Sequence, residues 1–147
     1  MTKEVMIHIE ACHQTDETST EREYIRAEVC GEYKKEGDFH LLTYEQVLEE
    51  GHPPVLHSLQ FQEHHMIMTK RLEEDAVMEF KLGENIPTLY PTPYGCLDMK
   101  VNTQQLEITM EETRIKLAVT YALTMEDALL SKCQLTLAIE ERDESGT

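Results

Sequence analysis

Seven histidines and four cysteines are the side chains in this chain best equipped for catalysis or metal binding, and their spacing gathers few of them. Cys12, Cys30, Cys96 and Cys133 lie far apart, with no Cys-x-x-Cys unit and none of the density of a disulfide scaffold. They are expected to be four reduced thiols packed as small apolar groups. His64 and His65 are neighbours, so on a strand they point to opposite faces and make poor joint ligands. His8, His13, His40 and His52 show no ligand spacing, and Cys12-His13 is a single adjacent pair. There is no His-Glu-x-x-His unit for zinc, no Gly-x-Ser-x-Gly elbow for a hydrolytic serine, and no glycine-rich phosphate loop. The 29 carboxylates are too many for spacing to single out a glycosidase-type pair, and most are expected on solvated faces. No catalytic residue, metal ligand or cofactor is predicted.

Binding chemistry is better represented. His57 alternates with Leu59 and Phe61, which places it on an inward face. There it is either a group that meets a ligand or a core histidine with a hydrogen-bonded partner. Met66, Met68, Met78, Met99 and Met110, with Tyr33, Tyr94 and Tyr121, share this phase. They either fill a small core or line a pocket for an elongated apolar molecule, where methionine adapts its shape and a tyrosine hydroxyl orients a polar end. The candidate ligand-binding residues, inside or at the mouth of the fold, are Tyr33, His57, Met68, Tyr94, Met99 and Tyr121.

The elements that must carry these residues are strands. Val5, Ile7, Ile9 and Ala11 alternate with Met6, His8 and Glu10, the period of two expected of a half-buried strand. Ile25, Ala27, Val29, Gly31 and Tyr33 repeat it, and Gly31 within such a stripe predicts a bulge or bend. Glu36-Gly37-Asp38 predicts a tight hairpin, after which Phe39, Leu41 and Thr43 continue the inward stripe. Further stripes run through Val55 to Phe61, then Met66, Met68, Lys70 and Leu72, then Met78, Phe80 and Leu82. Pro87, Pro91 and Pro93 cannot donate ladder hydrogen bonds, so residues 86–95 read as an edge or crossover. Leu97 to Thr103, Leu106 to Met110, Ile115 to Met125 and Cys133 to Ile139 supply the last strands. Nine or ten short strands without a helix predict an all-β, antiparallel, closed or nearly closed barrel, with a two-sheet sandwich as alternative. One domain is expected over residues 3–141, with 142–147 a disordered polar tail.

Composition narrows the partners. The chain has 147 residues and a formal net charge of −16. Thirteen basic residues among 29 acidic ones do not readily build a phosphate-binding face, so neither nucleic acid nor an anionic membrane is expected as a partner. No apolar run approaches the ~20 residues of a membrane-spanning helix, and no leader pattern opens the chain, so the expected location is cytoplasmic. Acidic residues fall at outward strand positions (Glu10, Glu28, Glu32, Asp98, Glu107) or in turns, a charged coat over a methionine-rich interior.

Two segments carry a resemblance. Gly31-Glu32-Tyr33-Lys34-Lys35-Glu36-Gly37, continuing through Leu41-Leu42-Thr43-Tyr44-Glu45, is similar to a G-x-Y-Y-K-x-G-x-x-x-L-x-Y-x-E hairpin, with Glu32 and Tyr33 where an aromatic pair is usual. Thr92-Pro93-Tyr94-Gly95-Cys96-Leu97, continuing to Val101-Asn102-Thr103, is similar to T-P-Y-G-x-L-x-x-x-V-x-T. Together they resemble the YwiB-like family, bacterial proteins of unknown function with a calycin-like, lipocalin-type barrel. That resemblance implies a fold and no reaction. Two functions are expected to compete: a binding module that holds a small hydrophobic or amphipathic ligand, or a non-catalytic interaction protein, a homodimer with a filled barrel.

Overall fold

The computed structural model describes residues 2–14, 23–47, 51, 53–71, 75–92, 95–126 and 128–141. Ten strands follow one another: β1 (Thr2–Gln14), β2 (Glu23–Glu36), β3 (Phe39–Gln46), β4 (Val55–Gln62), β5 (His65–Lys70), β6 (Ala76–Lys81), β7 (Asn85–Thr92), β8 (Gly95–Met110), β9 (Arg114–Met125) and β10 (Ala128–Glu141). They form a single antiparallel sheet in the order β6-β5-β4-β3-β2-β1-β10-β9-β8-β7. The sheet curls until its two ends meet. Thr88 Oγ1 on β7 donates to the Val77 carbonyl on β6 at 2.6 Å. The turn between β6 and β7 also bonds to β8, Gly83 N–H donating to Thr103 O at 3.0 Å and Thr103 N–H to Glu84 O at 3.2 Å. The result is a nearly closed barrel, which removes most of the exposed edge that a flat sheet would present. The proline-bearing β7 lies at the end of the ladder, where two missing N–H donors cost little.

The inner face is a continuous apolar core. Val5, Ile7, Leu42, Leu59, Phe61, Met66, Phe80, Leu117 and Leu137 are fully buried in it. Each such side chain contributes roughly 1.5–3 kcal/mol of hydrophobic stabilisation. The outward carboxylates Glu10, Glu28, Glu32, Asp98 and Glu107 are all exposed. No helix among the described residues is long and apolar enough to cross a membrane.

Four details differ from the sequence expectation. The β2–β3 hairpin turns at Gly37-Asp38, with Gly37 at φ 57°, and pairs Glu36 with Phe39. A two-residue loop pairs odd positions with even ones, so inward Gly31 and Tyr33 face Tyr44 and Leu42. The inward stripe of β3 is therefore His40, Leu42 and Tyr44, not Phe39, Leu41 and Thr43. Gly31 lies in unbroken register, and its role is space: an added Cβ would sit 2.6 Å from Thr43 O and 2.7 Å from Ile7 Cδ1. The two stripes 97–103 and 106–110 are one strand, β8, whose phase shifts at a bulge between Thr103 and Gln105. Past that bulge Met110 keeps the phase of Leu106 and Ile108 and pairs with buried Ile115, but at the end of the strand it is 54% exposed and is no part of the packed interior. The cysteines are not uniformly packed either: Cys133 is buried and Cys12 half-buried, whereas Cys30 and Cys96 are exposed. The proposed polar tail, 142–147, lies outside the described residues.

Candidate functional site

Antiparallel pairing builds a row of side chains across the inner wall, from Tyr44 on β3 through His57 on β4 to Lys70 on β5 and Ala76 on β6. His57 stands two residues into β4, and Tyr44 two residues before the end of β3, so both lie beside the Gln46–Val55 connection. Their rings stack almost flat, with centroids 4.8 Å apart and planes 7° from parallel. His57 is 3% exposed. Neither Nδ1 nor Nε2 has a hydrogen-bond partner among the described residues. A buried polar atom left unsatisfied costs about 1–3 kcal/mol. Burial first, then the neighbouring Lys70 ammonium, lowers the imidazole to about 4, so the ring is neutral at pH 7 and offers one N–H donor and one acceptor. Burial pushes the Tyr44 phenol up to about 12, and it remains protonated. Lys70 continues the inward phase of Met66 and Met68, and is half-buried. Met68 pairs with Leu59 on one side and with Met78 on the other, in the next row of the same wall.

A second polar group lies on β2 and β3. The Tyr33 hydroxyl is 2.5 Å from His40 Nδ1, and the His40 ring stacks on Phe61 at 4.9 Å. Burial raises the Tyr33 phenol, and burial with the Lys35 charge lowers His40, so the phenol is the donor. Tyr33 also lines an open recess of about 170 Å3 at the barrel end where β1 begins and β10 ends, with Val5, Ile115 and Ile139 beneath it and Lys3 and Met110 beside it.

A third group sits where β1, β9 and β10 adjoin. His13, Cys133 and Tyr121 are successive cross-strand partners, followed by Thr103 on β8. His13 Nδ1 is 3.2 Å and Ser131 Oγ 3.3 Å from Cys133 Sγ. Burial raises the Cys133 thiol, and burial raises the Tyr121 phenol further still. Both are protonated cross-strand partners, a packing arrangement rather than an activated nucleophile. The Thr103 hydroxyl, 1% exposed, has no partner among the described residues.

The six candidate residues are thus dispersed. His57 and Met68 share the β4–β5 wall, Met99 and Tyr121 are buried on β8 and β9, and Tyr33 belongs with His40. Tyr121 packs edge-on against Phe80, centroids 4.8 Å apart, across the barrel's seam. Tyr94 lies outside the described residues. Tyr44 and Lys70 join the site unanticipated. Lys70 had a visible signal, a cation in phase with an apolar stripe; Tyr44 was hidden by the phase of β3.

Comparison with known proteins places this barrel. A family model described as a domain of unknown function (DUF1934) matches residues 7–137. The chain belongs to this family. Among solved structures, the DUF1934 chain is similar to the crystal structure of ywiB protein from Bacillus subtilis, with a TM-score of 0.80 and 15% identity over 97% of this chain and 94% of that one. At that identity the likeness is one of fold. No curated protein matches the DUF1934 chain significantly.

Proposed function

We propose that this protein binds a small amphipathic molecule in its barrel, at the end where Tyr44, His57 and Lys70 face inward. The observation that carries this reading is the His57 ring, 3% exposed and with neither nitrogen partnered among the described residues. A polar group kept at such cost on an apolar wall is a candidate contact for a ligand. The flexible methionines of the same wall, Met66, Met68 and Met78, fill the interior and can yield by rotamer change to an apolar chain. A thermal-shift panel of single-chain amphiphiles tests the reading. A ligand at about 100 times its Kd adds about 2.7 kcal/mol. In a domain of this size that is a rise of roughly 5–10 °C in Tm. No rise with any chain length or head group would contradict it.

A second reading is a homodimer with a permanently filled interior. It is favoured by Leu89, 60% exposed, and Val77, 45% exposed, which flank the seam between β6 and β7. A monomer mass by sedimentation at micromolar concentration would remove it.

A further inference from the structure

We infer that the molecule bound at this site is a monocarboxylate on an unbranched apolar chain, its head against Lys70 with His57 and Tyr44 alongside and its chain along Leu59, Met68 and Met78. This rests on the proposal that the interior binds an amphipathic molecule, and it names the head group.

Charge bookkeeping along the chain points to Lys70. Five other cations are committed to carboxylates: Lys3 to Glu141, Arg26 to Glu10, Lys34 to Glu36, Lys81 to Glu79 and Arg114 to Glu140. Lys35, Arg71, Lys100 and Lys116 are exposed to water, which satisfies them. Among the described residues Lys70 is different. It is half-buried, in phase with the core methionines, and has no carboxylate among the described residues within ion-pairing distance. A cation placed inward without a counter-ion supplies the charge that a bound anion lacks.

The neighbours complete a donor set. His57 is the cross-strand partner of both Tyr44 and Lys70. Cross-strand partners hold their Cβ atoms about 4.5–5.5 Å apart, so the three polar ends can converge on one small group. The ammonium supplies the charge, the protonated phenol one O–H, and the neutral imidazole one N–H. The two oxygens of a carboxylate have room for all three. One lysine and, among the described residues, no arginine at the site match a single negative charge better than a phosphate, whose geometry favours the guanidinium fork. The wall beyond is Leu59, Met68 and Met78, without a polar side chain to meet a second head group.

Isothermal titration calorimetry with decanoate and with decanol separates the charge from the chain. The wild-type protein is expected to bind decanoate about tenfold more tightly than decanol. Lys70→Met should abolish that preference, and Lys70→Arg should keep most of it. Tyr44→Phe, which retains the stacked ring, should lower decanoate affinity alone, a check independent of any folding effect at position 70. Equal affinities for acid and alcohol in the wild type, or a preference that survives Lys70→Met, would overturn the carboxylate assignment and leave the amphiphile reading standing. Failure of both compounds and of the wider panel to bind would overturn both.

Discussion

Replacing His57 by phenylalanine should stabilise this protein, and more so in acid. The phenyl ring keeps the shape of the imidazole and its flat stack on Tyr44, 4.8 Å away. It removes two buried nitrogens that have no partner among the described residues. Relief of that unsatisfied polarity is worth about 1–3 kcal/mol at pH 7. In a domain of this length that raises Tm by roughly 2–10 °C. The pH dependence gives a second, sharper test. In the unfolded chain the imidazole takes its proton near pH 6.5, and in the folded protein near 4. Between those values the unfolded state holds a proton that the folded state does not, so the stability of the wild type falls as pH falls through that window. The loss from this one group is at most about 3 kcal/mol. His57→Phe lacks it, while every carboxylate titrates alike in both proteins. The stability difference should therefore widen steadily from pH 7 to pH 4. Urea unfolding followed by circular dichroism at half-unit pH steps measures it. A variant less stable than wild type at pH 7, or two parallel pH profiles, would show that the ring is hydrogen-bonded and would refute the reasoning.

Three further outcomes follow from the same geometry. Gly31→Ala should cost about 1–3 kcal/mol in urea unfolding, because its Cβ would meet the Thr43 carbonyl at 2.6 Å and Ile7 at 2.7 Å; an unchanged midpoint would mean that β2 and β3 separate easily. Thr103→Val should be neutral or stabilising by up to about 1 kcal/mol, since it replaces a buried hydroxyl without a described partner by a methyl group of the same shape; a clear loss would reveal a bond to that oxygen. Under native conditions iodoacetamide, read by peptide mass spectrometry, should label Cys30 and Cys96 in preference to Cys133, which is 2% exposed and whose thiol burial keeps protonated; fast labelling of Cys133 would contradict the packing of β10.

The strands were legible because one face of each is buried and the other wet, which prints a period of two on the sequence. Val5-Ile7-Ile9 on β1 and Ile115-Leu117-Val119-Tyr121 on β9 are inward as that period predicts. Where the phase shifted, periodicity alone misled. The two-residue turn at Gly37-Asp38 exchanged odd for even positions and hid Tyr44. The bulge after Thr103 turned one long strand into two apparent ones, and Met110, in the inward phase, is exposed because it ends β8. The site was half visible. His57 stands out as a polar residue in an apolar stripe, but its partners come from β3 and β5, and the pairing that joins them is a property of register. Likewise His13 looked solitary beside Cys12, because its partner Cys133 lies at the other end of the chain.

The central claim is that the barrel wall around His57 accepts an apolar chain, and methionine methyl groups report on it directly. Carbon-13 labelled methyls followed by NMR during a decanoate titration should show saturable shifts at Met66, Met68 and Met78, whose side chains line that wall. Met110, 54% exposed and beside the recess at the opposite barrel end, should not move. Still methyls at Met66, Met68 and Met78 up to millimolar ligand, or shifts confined to Met110, would contradict it.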